Sequence, residues 1–289
     1  RQKSARRRPT AGARELGVAA VRFTNLAYSA MKPLAAASLL AALVFPLAVR
    51  AQSPSPNCNT PIDLVRLTHP LTRVGHKLIS GEPVTIVAMG SSSTWGAGAS
   101  GPAANYPNQL AADLKARFPK NSFTVLNAGV GGEEVPDMIK RFDTAVVAVK
   151  PDLVLWQLGT NAVIRDQKTS TQDSFIREGL KKIRSVGADI VLIDPQFAPK
   201  VIAKPDAENM VSYIAATSKQ EDIDLFRRFE AMKRWNVVDK IPMETFVSPD
   251  GLHMNDWGYA CMAKGLGMAI ADAAQRPVQS ATAVSRSAQ

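Results

Sequence analysis

After about residue 70 the 289-residue chain alternates between two hydrophobic rhythms. Short unbroken apolar runs stand at Val84–Met89 (VTIVAM), Leu153–Leu158 (LVLWQL) and Ile190–Ile193 (IVLI), with weaker ones at Phe123–Leu126 (FTVL) and Ile223–Phe226 (IDLF). Runs of this length without clean alternation predict strands buried on both faces, as in a parallel sheet covered by helices. Between them, apolar residues recur at helical spacing. Leu71, Val74 and Leu78 predict a short helix ended by Ser80-Gly81. Ala111, Leu114 and Phe118 mark a second helix, Val135, Met138 and Phe142 a third, and Phe175, Leu180 and Ile183 a fourth. Asn255-Asp256 is a good capping pair for a last helix through Cys261, Leu266 and Ile270 to about Ala274. Five βα units with right-handed crossovers predict a three-layer α/β/α sandwich on a central, mostly parallel five-stranded sheet.

Charge changes this picture only once it is located. The net charge of +10 suggests a nucleic-acid binder, but residues 1–51 hold nine of the 35 basic residues and one of the 25 acidic ones, Glu15. The remainder is close to neutral, so no phosphate-neutralising face is indicated and nucleic acid is not an expected partner. Met31-Lys32, the uncharged Leu34–Val49 and the small residues around Ala51 predict a signal peptide over 31–51. A membrane anchor is the competing reading, but this apolar stretch is interrupted by Pro46 and falls short of the roughly 20 residues of a span. Residues 1–30, Arg-rich and poor in acids, form an upstream extension, with an organelle transit peptide as the alternative. The expected organisation continues with a lead-in and short helix over 52–82, the α/β domain over 83–276 and a disordered tail over 277–289. Export implies a periplasmic or secreted protein with no stable membrane insertion after signal cleavage.

Two cysteines and three histidines exclude a disulfide-dense mini-domain and argue against a four-ligand Cys/His zinc site. No metal and no cofactor are called for. In an oxidising compartment Cys58 and Cys261 could pair, tying the lead-in to the last helix; two buried thiols are the alternative.

Open α/β sheets bind ligands beyond the carboxyl ends of their strands, and reactive side chains stand at those ends here. Gly90-Ser91-Ser92-Ser93-Thr94 follows the first strand. A hydroxyl on such a turn suits a nucleophile, although a polar turn alone is ordinary and three adjacent serines leave the choice open. Asn127-Ala128-Gly129-Val130-Gly131-Gly132 follows the second, with glycines that let a backbone N–H face a ligand. Gly159-Thr160-Asn161 brings an amide after the third. Asp250-Gly251-Leu252-His253 sets a carboxylate three residues before an imidazole, close enough to fix its tautomer. His69 and His76 precede the first strand and are expected to be surface or packing residues. Trp156 and Trp257 are expected to pack in the core, Trp235 has no assigned place, and Trp95 lies close to the serines. No G-x-G-x-x-G follows the first strand, which argues against a nucleotide- or flavin-binding sheet, and no G-x-S-x-G elbow is present.

Together these four blocks, in order across residues 83–274, resemble the SGNH or GDSL-like hydrolases. The family's Gly-Asp-Ser-Leu/Ile-Thr block matches Gly90 to Thr94, which makes Ser92 the nucleophile among the three serines. Its second-block glycine falls on Gly132, its Gly-x-Asn on Gly159 and Asn161, and its Asp-x-x-His on Asp250 and His253. The sequence departs from the pattern at Ser91, where the family has Asp, at Ser93, where it has a bulky aliphatic residue, and at Ala162, where many members carry an acid. The resemblance implies a flavodoxin-like SGNH hydrolase fold and catalysis by Ser92, His253 and Asp250. The oxyanion would be held by the Ser92 N–H, Gly132 N–H and Asn161 amide. It also implies a serine esterase, and the exported location and Trp95 beside the nucleophile turn the expectation toward a short-chain ester, acetyl included, of a carbohydrate or small molecule. A lipid esterase or acyltransferase of the same family is the alternative, and a non-catalytic sugar-binding protein a distant one.

Overall fold

The computed structural model describes residues 57–277. The predicted extension, signal peptide, first residues of the lead-in and tail from residue 278 lie outside the described residues. In chain order the main elements are α1 (Thr72–Ser80), β1 (Val84–Gly90), α2 (Ser92–Trp95), α3 (Tyr106–Arg117), β2 (Phe123–Gly129), α4 (Val135–Lys140) and β3 (Leu153–Gln157). They continue with α5 (Thr160–Ile164), α6 (Asp173–Ser185), β4 (Asp189–Ile193), α7 (Ala207–Gln220), β5 (Asp224–Phe226), α8 (Arg228–Val237) and α9 (Asp256–Ala274). All five strands are parallel, in the order β2-β1-β3-β4-β5. From β1 the chain steps outward to β2, then crosses back to β3 and onward. Right-handed crossovers in opposite directions put their helices on opposite faces, so α3 packs with α9 in one layer and α4 with α6 in the other. The reversal of direction opens a crevice at the carboxyl ends of β1 and β3.

Local signals explain the elements that position this crevice. Gly81 ends α1 in the left-handed conformation, φ 73°. Asn255 caps α9 by accepting the Gly258 N–H, as its place in the sequence predicts. Strands β1, β3 and β4 are buried almost throughout. Trp156 is fully buried on β3, 4.9 Å from the ring of Phe142, and a side chain at Gly179 of α6 would run into its indole. Trp257 packs edge-on against Trp235, whose indole is buried and donates to Thr60 Oγ1 at 2.9 Å. Cys58 and Cys261 are joined in a disulfide, their Cα atoms 5.4 Å apart, which ties the lead-in to α9.

Two features depart from the periodicity reading. Strand β2 is not buried on both faces; as the outer strand it alternates between half-buried and exposed positions, with Leu126 exposed. Helices α7 and α8 fill the stretch between β4 and the Asp250 turn, where the apolar spacing marks no particular helix. The buried stripe of α7 ends in Thr217 and Ser218 and that of α8 begins with Arg228, so apolarity does not mark either helix throughout. Among the described residues, no helix is long and apolar enough to cross a membrane.

Candidate active site

The turn after β1 is held tightly against the sheet. Gly90 faces the Thr94 side chain and Gly129 of β2 faces the backbone of Trp95, so a Cβ at either position would collide with α2. That close approach lays the short helix across the ends of β1 and β2. The Ser91 carbonyl accepts the Thr94 and Trp95 N–H groups at 3.1 and 2.9 Å. The three serines then separate by environment. Ser91 and Ser93 are buried, while Ser92 between them is half-open to the crevice. Ser91 donates both its N–H and its hydroxyl to Gln157 Oε1, each at 2.9 Å. Ser93 Oγ accepts from Arg228 Nη1 at 3.0 Å. Ser92 Oγ instead meets His253 Nε2 at 2.8 Å.

His253 reaches Ser92 from the loop before α9. Its Nδ1 lies 2.5 Å from Asp250 Oδ2. Asp250 Oδ1 accepts the Ser248 hydroxyl at 2.8 Å and the Leu252 and His253 N–H groups at 2.8 and 2.9 Å. Burial works against the Asp250 charge, but the hydrogen bonds from His253, Leu252 and Ser248 outweigh it and hold the carboxyl well below the usual carboxylate range. Gly98, φ 87°, lets the loop after α2 lie against His253, Met254 and Ser248, where a side chain would not fit.

The Gly132 and Asn161 loops close the same crevice. The Gly90 carbonyl accepts the Val130 N–H at 3.0 Å and Arg141 Nη2 at 3.2 Å, anchoring the β2 loop to the residue before the serine turn. Gly132 has φ 78°, and its carbonyl accepts from Arg165 Nη2 at 2.8 Å. Asn161 stands in the first turn of α5, two residues after Gly159, whose φ is 84°, and donates its amide to the Glu133 carbonyl at 2.8 Å. Within the described residues, neither the Ser92 nor the Gly132 N–H is taken by a carbonyl of the chain.

Thus Ser92, His253 and Asp250 form one hydrogen-bonded line, and Gly132 and Asn161 are linked through Glu133 and Arg165. A serine hydroxyl whose imidazole partner is oriented by a carboxylate can give up its proton as it attacks. His69 and His76 take no part. His69 lies beside Asp222 and Asp224 at the start of β5, and His76 sits on α1, both at the amino ends of the strands. Trp95 is 61% exposed and borders a cavity of about 380 Å³ also lined by Asn105, Asn108 and Asn127.

The supporting residues Gln157, Arg141, Arg165, Ser248 and Arg228 were not singled out in the sequence. Only Gln157 carries a local signal, as the one polar residue inside the apolar run LVLWQL.

The sequence profile of the Non-GDSL lipase-like family matches residues 57–276, and the chain belongs to that family. The departures at Ser91 and Ser93 from the Gly-Asp-Ser-Leu pattern agree with that name. No curated protein matches the chain. Among solved structures it is similar to a two-domain esterase active on acetylated mannans, at 20% identity and a TM-score of 0.62. That match covers 76% of this chain, which spans only 59% of the length of the two-domain protein. A catalytic mutant of the acetylxylan esterase Axe2 from Geobacillus stearothermophilus matches at 17% identity and a TM-score of 0.56, over 65% of this chain and 94% of its own. The lipase/acylhydrolase from Enterococcus faecalis matches at 23% identity and a TM-score of 0.50, over 64% and 93%. The fold is that of the SGNH hydrolases.

Proposed function

We propose that the protein is an exported serine esterase that removes short acyl groups, acetyl foremost, from a carbohydrate. The observation that carries the reading is the 2.8 Å contact between Ser92 Oγ and His253 Nε2, continued through His253 Nδ1 to Asp250. Ser92 attacks the ester carbonyl as His253 takes its proton, and the imidazolium then protonates the departing alcohol. Water, deprotonated by the same imidazole, resolves the acyl-enzyme and restores the serine. The tetrahedral oxyanion forms opposite the N–H groups of Ser92 and Gly132 and the Asn161 amide, where fixed donors stabilise developing charge.

Two features favour a sugar as the alcohol. The exposed Trp95 indole beside α2 offers a flat apolar face to a ring, and the cavity next to it carries the amides of Asn105, Asn108 and Asn127 among glycine, alanine and proline. The structural neighbours described as acting on acetylated mannan and xylan point the same way. Export is supported by the Cys58–Cys261 disulfide, which persists in oxidising compartments.

A panel of p-nitrophenyl esters from C2 to C16 together with acetylated xylan tests the reading, with Ser92→Ala as control. Turnover confined to short chains and to acetylated xylan, abolished in Ser92→Ala, is the expected result. Preference for long chains would replace it with a lipid esterase, and acyl transfer to an added sugar with an acyltransferase. Full activity in Ser92→Ala would remove the proposed chemistry altogether.

A further inference from the structure

The proposed chemistry leaves unused a side chain lying directly beneath it. Arg228, the first residue of α8, is fully buried. Its Nε donates to the Asp194 carbonyl at 2.9 Å, Nη1 to Ser93 Oγ at 3.0 Å and Nη2 to Thr160 Oγ1 at 3.5 Å. Among the described residues, no carboxylate oxygen lies within ion-pair distance of it, so a full positive charge is held out of water on neutral partners. A buried cation is costly to keep, and a lysine or neutral side chain would not reproduce the rigid, many-donor fork of a guanidinium.

The partners give the fork its meaning. Ser93 follows Ser92, and Thr160 precedes Asn161. One planar group therefore spans the two strand-end turns that carry the proposed nucleophile and an oxyanion donor. The contacts continue from there to the proposed base. Thr160 Oγ1 donates to Gln196 Oε1 at 2.9 Å, and Gln196 Nε2 donates to the carbonyl of Leu252, the residue before His253, at 3.1 Å.

We propose that Arg228 is a positioning residue for ester hydrolysis: its guanidinium, bonded to Ser93 and Thr160, sets Ser92 and Asn161 at the mutual spacing that the tetrahedral oxyanion requires. The proposal rests on the esterase reading above. It makes the serines at 91 and 93 structural complements of Gln157 and Arg228, so that the departures from the Gly-Asp-Ser-Leu pattern become parts of one buried polar frame.

The test compares wild-type protein with Arg228→Lys, Ser93→Ala and Thr160→Val on p-nitrophenyl acetate, with kcat and KM referred to the folded fraction from circular dichroism. The rate of covalent labelling by a fluorophosphonate is read in parallel. Arg228→Lys keeps the charge and loses the fork, and kcat is expected to fall by about 10²-fold with KM little changed, as misalignment near a reacting centre commonly does. Ser93→Ala and Thr160→Val are each expected to lower kcat by about tenfold, with labelling slowed in proportion. A purely structural role would lower melting temperatures while leaving kcat and labelling per folded molecule unchanged. If Arg228→Lys does not fold, the two smaller substitutions decide. Both within twofold of wild type overturns the positioning role and leaves the esterase reading standing. Wild-type protein that neither hydrolyses the ester nor takes up the phosphonate overturns both.

Discussion

Two carboxylates, one at the mouth of the crevice and one under its floor, are treated in opposite ways by the same fold. Asp250 has a side chain 43% exposed and accepts three hydrogen bonds on one oxygen while facing His253 Nδ1 with the other. Asp194, immediately after β4, is fully buried, and its Oδ1 accepts only the Phe229 N–H at 2.9 Å. Its Oδ2 has no hydrogen-bond partner within the described residues. Burial pushes Asp194 up to about 7, against the Phe229 bond and the charge of Arg228, whereas the donors around Asp250 overcome its milder burial. At Asp194 complete burial outweighs one donor and a nearby cation; at Asp250 several donors outweigh a partial burial. The mouth keeps its carboxylate ionised, whereas the floor favours the neutral form of Asp194 beside a buried guanidinium.

The sharpest way to break that contrast is Asp250→Asn. If the ionised carboxylate holds the imidazole in its productive tautomer, turnover of p-nitrophenyl acetate should fall by about 10³–10⁴-fold with the fold retained. A loss below tenfold would mean that the donor cluster serves only the loop. Next in size is Asn161→Ala, which removes a neutral donor at the same mouth. Here kcat should drop by about 10²–10³-fold while KM changes little. A rise in KM at constant kcat would instead assign Asn161 to substrate binding.

The smallest effect concerns the floor and is read in stability. Because the folded-state pKa of Asp194 is raised, its contribution is fully present below the unfolded value of about 3.9 and is lost as pH rises through about 7. Asp194→Asn removes that dependence, so denaturant melts should show the variant gaining on wild type across this window, by at most about 1.4 kcal/mol per pH unit. Asp250 has the opposite sign: its stabilisation is present above about 3.9 and is lost as pH falls. Parallel wild-type and Asp194→Asn stability curves from pH 4 to 8 would show that the buried carboxyl does not titrate there.

The mouth was far more legible in the sequence than the floor. Ser92, Gly132, Asn161, Asp250 and His253 follow strands or stand on a turn, and their spacing in a known pattern marks them before any coordinates. Strands β1, β3 and β4 were equally visible, because a strand covered on both faces must be apolar throughout. Strand β2 misled, since an outer strand has only partial cover and its exposed Leu126 looks like a core residue on paper. Arg228 left no trace at all. A basic residue among Arg227, Arg228 and Glu230 reads as a solvated helix start, and only the three-dimensional meeting of α8 with the turns after β1 and β3 puts it inside. Local pattern can announce what faces a ligand; it cannot announce which charge the fold will enclose.

The bond between Cys58 and Cys261 spans 203 positions of the chain, and Ser92 and His253 both fall inside that loop. A protease that nicks the backbone once, anywhere between the nucleophile and its base, therefore yields two fragments that stay covalently attached, one bearing the serine and the other the imidazole. The cut molecule would migrate intact on a non-reducing gel, and come apart only when a thiol reductant opened the clasp.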